Sequence, residues 1–93
     1  MIEILVEFFG SARMITGVKE VRLDIPTHHK IEDIVCSLAK RFPELIDQVI
    51  KINRQELQES YIFNLNGLSF LRNDSFQLKP DDRLLLFSNQ AGG

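Results

Sequence analysis

The chain has 93 residues, 44% of them apolar and 26% charged, which allows one domain with a single core. Eleven basic residues against thirteen acidic give a net charge of −2, which argues against a general nucleic-acid binder. The one cysteine, Cys36, cannot supply an internal disulfide, a four-cysteine zinc site or an iron–sulfur cluster. No apolar run approaches the ~20 residues of a membrane span, and no basic stretch followed by an apolar one opens the chain. A cytoplasmic domain with no nucleic-acid and no membrane partner is expected.

Ile2, Ile4, Val6 and Phe8 alternate with Glu3, Leu5, Glu7 and Phe9. That period of two predicts a strand with one face in a core and a second face that Leu5 and Phe9 leave only half polar. Gly10 and Ser11 break the strand. Residues 18–25 alternate again, with Val21, Leu23 and Ile25 apolar, and Pro26 closes them. Two strands joined by a short loop predict a hairpin with Arg13 near its tip. Ile31, Ile34, Val35, Leu38, Ala39 and Phe42 then fall at helical spacing, predicting an amphipathic helix over 30–42. Glu32 and Asp33 in its first turn and Lys40 and Arg41 in its last suit the helix dipole, and Pro43 ends it. Residues 43–50 can begin a second short helix with proline at its first position. The polar stretch 51–60 reads as a helical extension or a loop.

Residues 61–65 read as a strand with Phe63 and Leu65 inward. Asn66-Gly67 is the signal of a type I′ turn, with 68–71 as the return strand. Lys79-Pro80-Asp81-Asp82 is a turn, and the nearly all-apolar 83–87 is a last strand placed centrally in a sheet. The expected folded domain covers 1–87, followed by a flexible tail over 88–93.

The tail is Ser88-Asn89-Gln90-Ala91-Gly92-Gly93. Two glycines at its end carry no side chain, so it can thread a narrow channel, and the Gly93 carboxylate is sterically bare. Such a carboxylate can be activated as an acyl phosphate and passed to a sulfur, nitrogen or oxygen nucleophile. The plainer reading is a frayed, glycine-rich end.

Taken in order, several motifs carry a resemblance. They are the first strand with Phe8-Phe9-Gly10-Ser11-Ala12-Arg13-Met14-Ile15-Thr16-Gly17, Pro26-Thr27 before the helix, the Asn66-Gly67 turn, Pro80-Asp81-Asp82 before the last strand, and the closing Gly92-Gly93. Along its whole length the chain resembles the MoaD/ThiS type of ubiquitin-like sulfur-carrier proteins. It differs from the molybdopterin-synthase branch in having Asp81 where glycine is frequent, no proline in the tail, and a stretch over 51–60 that looks inserted.

The resemblance implies an α+β, β-grasp (ubiquitin-like) fold, a mixed sheet of about five strands with one main helix on one face. It also implies a function. An E1-like adenylating enzyme (MoeB/ThiF type), using ATP and Mg²⁺, would activate Gly93, with Gly92 threaded beside it. A sulfur donor such as a cysteine desulfurase or rhodanese would convert the adenylate to a thiocarboxylate. A larger synthase subunit (MoaE type) would receive that sulfur for molybdopterin, as part of molybdenum cofactor biosynthesis. Thiazole or transfer-RNA thiolation, a protein modifier that forms isopeptide bonds, and a non-catalytic interaction module are the alternatives. On this reading the domain holds no cofactor tightly and is not catalytic alone.

If the first and last strands are neighbours, Leu5, Leu85 and Phe87 share the face opposite the helix and form an exposed partner patch beside the tail, with Arg13 and Arg83 at its rim. A dimer contact or scattered surface apolarity would explain the same residues. Cys36 lies on the flank of the helical stripe and reads as a packing residue, because a mid-helix position offers no cationic setting for a thiolate. His28-His29 has no third ligand nearby in sequence, so no metal site is expected.

Overall fold

The structure is a computed structural model that describes residues 1–88. Its elements are β1 (Ile2–Phe8), α1 (Gly10–Thr16), β2 (Glu20–Ile25), α2 (Ile31–Arg41), a single 3₁₀ turn at Pro43–Leu45, β3 (Tyr61–Leu65), β4 (Ser69–Phe70) and β5 (Arg83–Ser88). The strands form one sheet in the order β2-β1-β5-β3-β4. β1 and β5 run parallel, and the other neighbours are antiparallel. This is the expected mixed five-stranded β-grasp arrangement, with β5 at its centre. No helix among the described residues is long and apolar enough to cross a membrane.

The core follows the periodicities. Ile4, Val6 and Phe8 of β1, Val21, Leu23 and Ile25 of β2, and Leu84 and Leu86 of β5 point to one face. Ile34, Val35, Leu38 and Ala39 of α2 pack onto it, and Phe8 meets Phe42 edge-to-face at 5.3 Å. The helix start is fixed twice: Asp33 Oδ2 accepts the Lys30 N–H at 2.7 Å, and Asp74 Oδ1 accepts the Ile31 N–H at 2.9 Å. Its end comes where the Phe42 N–H reaches the Leu38 carbonyl at 2.7 Å, just before Pro43.

Several elements differ from the sequence expectation. The β1–β2 connection is a helix, α1, instead of a short loop. Gly10 turns the chain with φ +56°, Ala12 is buried, and Gly17 closes the helix at φ +75° by donating its N–H to the Arg13 carbonyl at 2.9 Å. Arg13 therefore lies exposed on a helix and not at a loop tip. After Pro43–Leu45 no further helix forms, because Ile46 is extended and Asp47 takes φ +73°, and the Leu45 carbonyl gathers the N–H groups of Gln48, Val49 and Ile50 into turns. Leu45, Val49 and Ile50 are buried there. Residues 51–60 form turns, not a helical extension, tied back by the Ile50–Leu57 bridge.

At the β3–β4 turn Asn66 and Gly67 both have positive φ, and the Leu68 N–H donates to the Leu65 carbonyl at 2.9 Å, as a type I′ turn requires. The ladder partner of Leu65 is nevertheless Ser69. Leu68 is pushed into solvent and the return strand shrinks to Ser69–Phe70. Finally, His29 is a latch. Its Nδ1 hydrogen-bonds the Pro26 carbonyl at 2.9 Å while its Nε2 accepts the Leu78 N–H at 3.0 Å, joining the approach to α2 to the approach to β5. The second bond makes the ring Nδ1–H the donor of the first.

Candidate functional site

The face of the sheet turned away from α2 is set by register. Leu5 stands opposite Arg22 of β2 and Arg83 of β5, Leu85 opposite Asn64 of β3, Phe87 opposite Ile62, and Phe70 of β4 opposite Asn64. Because neighbours in register share a face, Ile62, Asn64, Phe70, Leu85 and Phe87 form a continuous surface over β5, β3 and β4.

Its centre is aromatic. Phe87 lies edge-on to Phe70 at 6.0 Å and to Phe9 at 6.3 Å. Phe70 and Phe9 remain 45% and 38% exposed. Three rings in contact yet open to water make a preformed apolar platform, the kind of surface that gains most from burial by a partner. The Arg72 guanidinium sits over the Phe70 ring at 5.6 Å on one side. Phe87 is next to Ser88, so the platform borders the point where the chain continues toward its C-terminus.

Of the residues expected in this patch, Leu85 and Phe87 are there, each partly exposed. Leu5 is not. It is on the same face but only 6% exposed. It is flanked in register by Arg22 and Arg83, whose aliphatic stems are long enough to cover it. Their guanidinium groups are drawn to carboxylates, Arg22 to Glu3 and Asp81 at 3.4 and 3.3 Å, and Arg83 to Glu7. Arg83 thus borders the platform while paired with Glu7. Arg13 follows Phe9 by four residues on α1, with its side chain exposed. Gly92 and Gly93 lie outside the described residues.

Sequence reasoning missed Phe70, Ile62 and Asn64. Asn64 is the unusual member: it is only 7% exposed on this face, and its Oδ1 has no hydrogen-bond partner among the described residues. Alternation along 61–65 could have placed Ile62 and Asn64 on the outer face, since Phe63 was already assigned inward. Cys36, by contrast, is where the helical wheel put it, partly buried with its Sγ–H donated to the Arg54 carbonyl at 3.1 Å. Among the described residues no three His, Cys, Asp or Glu side chains cluster to hold a metal ion.

No protein-family model matches the chain, and no curated protein does. Solved structures match well. Small archaeal modifier protein 1 from Haloferax volcanii superposes with a TM-score of 0.79 at 22% identity, covering 98% of this chain and 99% of its own. The protein of the same name from Methanosarcina acetivorans also gives 0.79, at 24% identity, over 100% of this chain and 98% of its own. A protein described as a candidate molybdopterin converting factor subunit 1, from Pyrococcus furiosus, gives 0.71 at 20% identity, over 95% of this chain and 98% of its own. Together they establish the ubiquitin-like β-grasp fold of the chain.

Proposed function

We propose that this domain is a ubiquitin-like carrier whose reactive group is the carboxylate of Gly93. What carries the reading is a juxtaposition: a Gly-Gly end is joined by a few residues to the strand that bears an open aromatic platform. Residues 89–93 can extend at most about 17 Å. A partner that grips the platform would therefore find the terminal carboxylate within a fixed radius, which converts a bimolecular encounter into a positioned one.

In the chemistry that fits, an E1-like adenylating enzyme docks on Leu85, Phe87 and Phe70 and draws Gly92-Gly93 into its nucleotide site. The Gly93 carboxylate attacks the α-phosphate of ATP, held with Mg²⁺ by that enzyme, giving an acyl adenylate and pyrophosphate. A persulfide from a cysteine desulfurase or rhodanese displaces AMP and forms an acyl disulfide. A thiol then cleaves the S–S bond, leaving the Gly93 thiocarboxylate and a new disulfide on the donor. The domain contributes the carboxyl carbon and the docking face. Arg83 and Arg13 would help orient the partner, which supplies the catalytic groups.

The finer reading is delivery of this sulfur to a larger synthase subunit of the MoaE type, for molybdopterin and the molybdenum cofactor. The fold likeness to the Pyrococcus furiosus protein supports it. A second reading is favoured by the two archaeal modifier structures, which match with higher TM-scores. There, the activated Gly93 acylates a lysine amine of another protein. Gly93→Ala and an extension beyond Gly93 test both. Each variant should keep the fold and lose transfer. Sulfur delivery with no lysine conjugates assigns the carrier role, and conjugates assign the modifier role. Unimpaired transfer by either variant would remove the terminal carboxylate from the mechanism.

A further inference from the structure

Beside β3 there is a groove that the carrier chemistry does not use. The Leu71 N–H still donates to the Phe63 carbonyl at 3.0 Å, but β4 ends at Phe70 and the chain then swings away from β3. It crosses to the start of α2, where Asp74 caps the helix. An opening of about 640 Å³ is left between Arg72, Asp74, Ile31, Glu32 and Leu57, with the uncovered part of β3 as its floor.

Strand geometry fixes what the floor offers. The Phe63 carbonyl points away from β5, so the Phe63 N–H and the Tyr61 carbonyl point the same way, into the groove. The Tyr61 N–H is taken by the Gln58 carbonyl at 3.0 Å. Outside the strand-to-strand ladders the Phe63 N–H has no backbone acceptor and the Tyr61 carbonyl no backbone donor among the described residues. Phe63 is only 1% exposed, so an almost buried peptide donor is left open, a condition folded proteins seldom tolerate. The rim is acidic: Glu56 is paired with Lys51 at 3.6 Å, but Glu32 and Asp74 outnumber Arg72, which is turned over the Phe70 ring.

We propose that this groove takes an extended, basic peptide segment of another protein as a short added strand. The segment's backbone would donate to the Tyr61 carbonyl and accept from the Phe63 N–H, continuing the sheet where β4 leaves it. An apolar side chain fits against Ile31 and Leu57, and a lysine or arginine faces Glu32 and Asp74.

The test follows amide chemical shifts of the full chain during addition of a capped, alternating lysine–valine pentapeptide. Its glutamate–valine counterpart and a lysine–valine peptide N-methylated at alternate residues serve as comparison probes. Saturable shifts of the Phe63 and Leu71 amides with the first probe alone are expected. Glu32→Gln should weaken binding about threefold, as loss of one exposed charge pair implies. Gly93→Ala should leave binding unchanged, so failure here leaves the carrier reading standing. Equal response to the acidic or the N-methylated peptide would overturn the proposal, as would shifts confined to Phe70 and Phe87.

Discussion

Leu85 and Leu86 are adjacent on β5, and the pleat sends them to opposite faces, so substituting each in turn separates folding from function. Leu86 is fully buried in the core. Leu86→Ala removes its packing beside Phe8 of β1 and Phe63 of β3 and leaves a cavity, at a cost of about 2–5 kcal/mol. For a domain of this size each kcal/mol lowers Tm by roughly 4–8 °C, so a fall of roughly 8–40 °C is expected. Leu85 is partly exposed beside Asn64. Leu85→Ala forfeits only part of a leucine's burial, about 1 kcal/mol. Leu85→Glu should also fold, since the introduced carboxylate can reach water. Docking should respond differently. A charge in the middle of an aromatic platform costs about 2 kcal/mol or more of binding, roughly 30-fold in affinity.

Urea melts of the three variants, with adenylation by an E1-like enzyme followed by pyrophosphate release at sub-saturating protein, measure both effects. Leu86→Ala should be unstable, and Leu85→Glu stable but poorly adenylated. Equal destabilisation by Leu85→Ala and Leu86→Ala would mean that the outer face is core. Normal adenylation of Leu85→Glu would refute the platform as a docking surface.

Other expectations follow from single contacts. His29→Ala deprives the Leu78 N–H and the Pro26 carbonyl of their partner, so stability should fall by about 1–3 kcal/mol and hydrogen exchange at the Leu78 amide should accelerate. Unchanged exchange at Leu78 would contradict the latch. Asn64→Leu replaces a covered amide whose Oδ1 lacks a partner with an apolar side chain of similar size, and should raise stability by about 1 kcal/mol in a urea melt. A loss of stability there would show that the oxygen is satisfied in solution. Gly17→Ala meets no atom within 4 Å of the added Cβ, so its cost is the backbone alone at φ +75°, about 1 kcal/mol. No change in Tm would place Gly17 in an ordinary conformation.

What the sequence could and could not convey depends on the range of the interaction involved. Alternation in β1 and β2 and the helical stripe of α2 were legible, because each is a local pattern repeated over several residues. Their meeting in one core followed from hydrophobic burial. α1 was not legible, since it has seven residues and begins at a glycine that reads as a strand breaker. The face occupied by Phe70 depends on a single residue. A strict two-residue turn at Asn66-Gly67 would pair Phe70 with Phe63 and turn it into the core. Pairing Leu65 with Ser69 moves it opposite Asn64 and onto the outer face. Nor could the sequence show Leu5 buried, because the strands on either side of it, with Arg22 and Arg83 in register, are distant in the chain and placed by the sheet.

The central claim is that Gly93 carries the chemistry, and the intact mass of the protein tests it most directly. The chain is incubated with an E1-like adenylating enzyme, ATP, Mg²⁺ and a persulfide donor, then weighed and fragmented. The account predicts a gain equal to the exchange of one oxygen for one sulfur, located on the C-terminal fragment that contains Gly93 and absent when ATP is withheld. Sulfur found on Cys36, or a protein adenylated and thiolated nowhere while its partner remains active on another carrier, would contradict it.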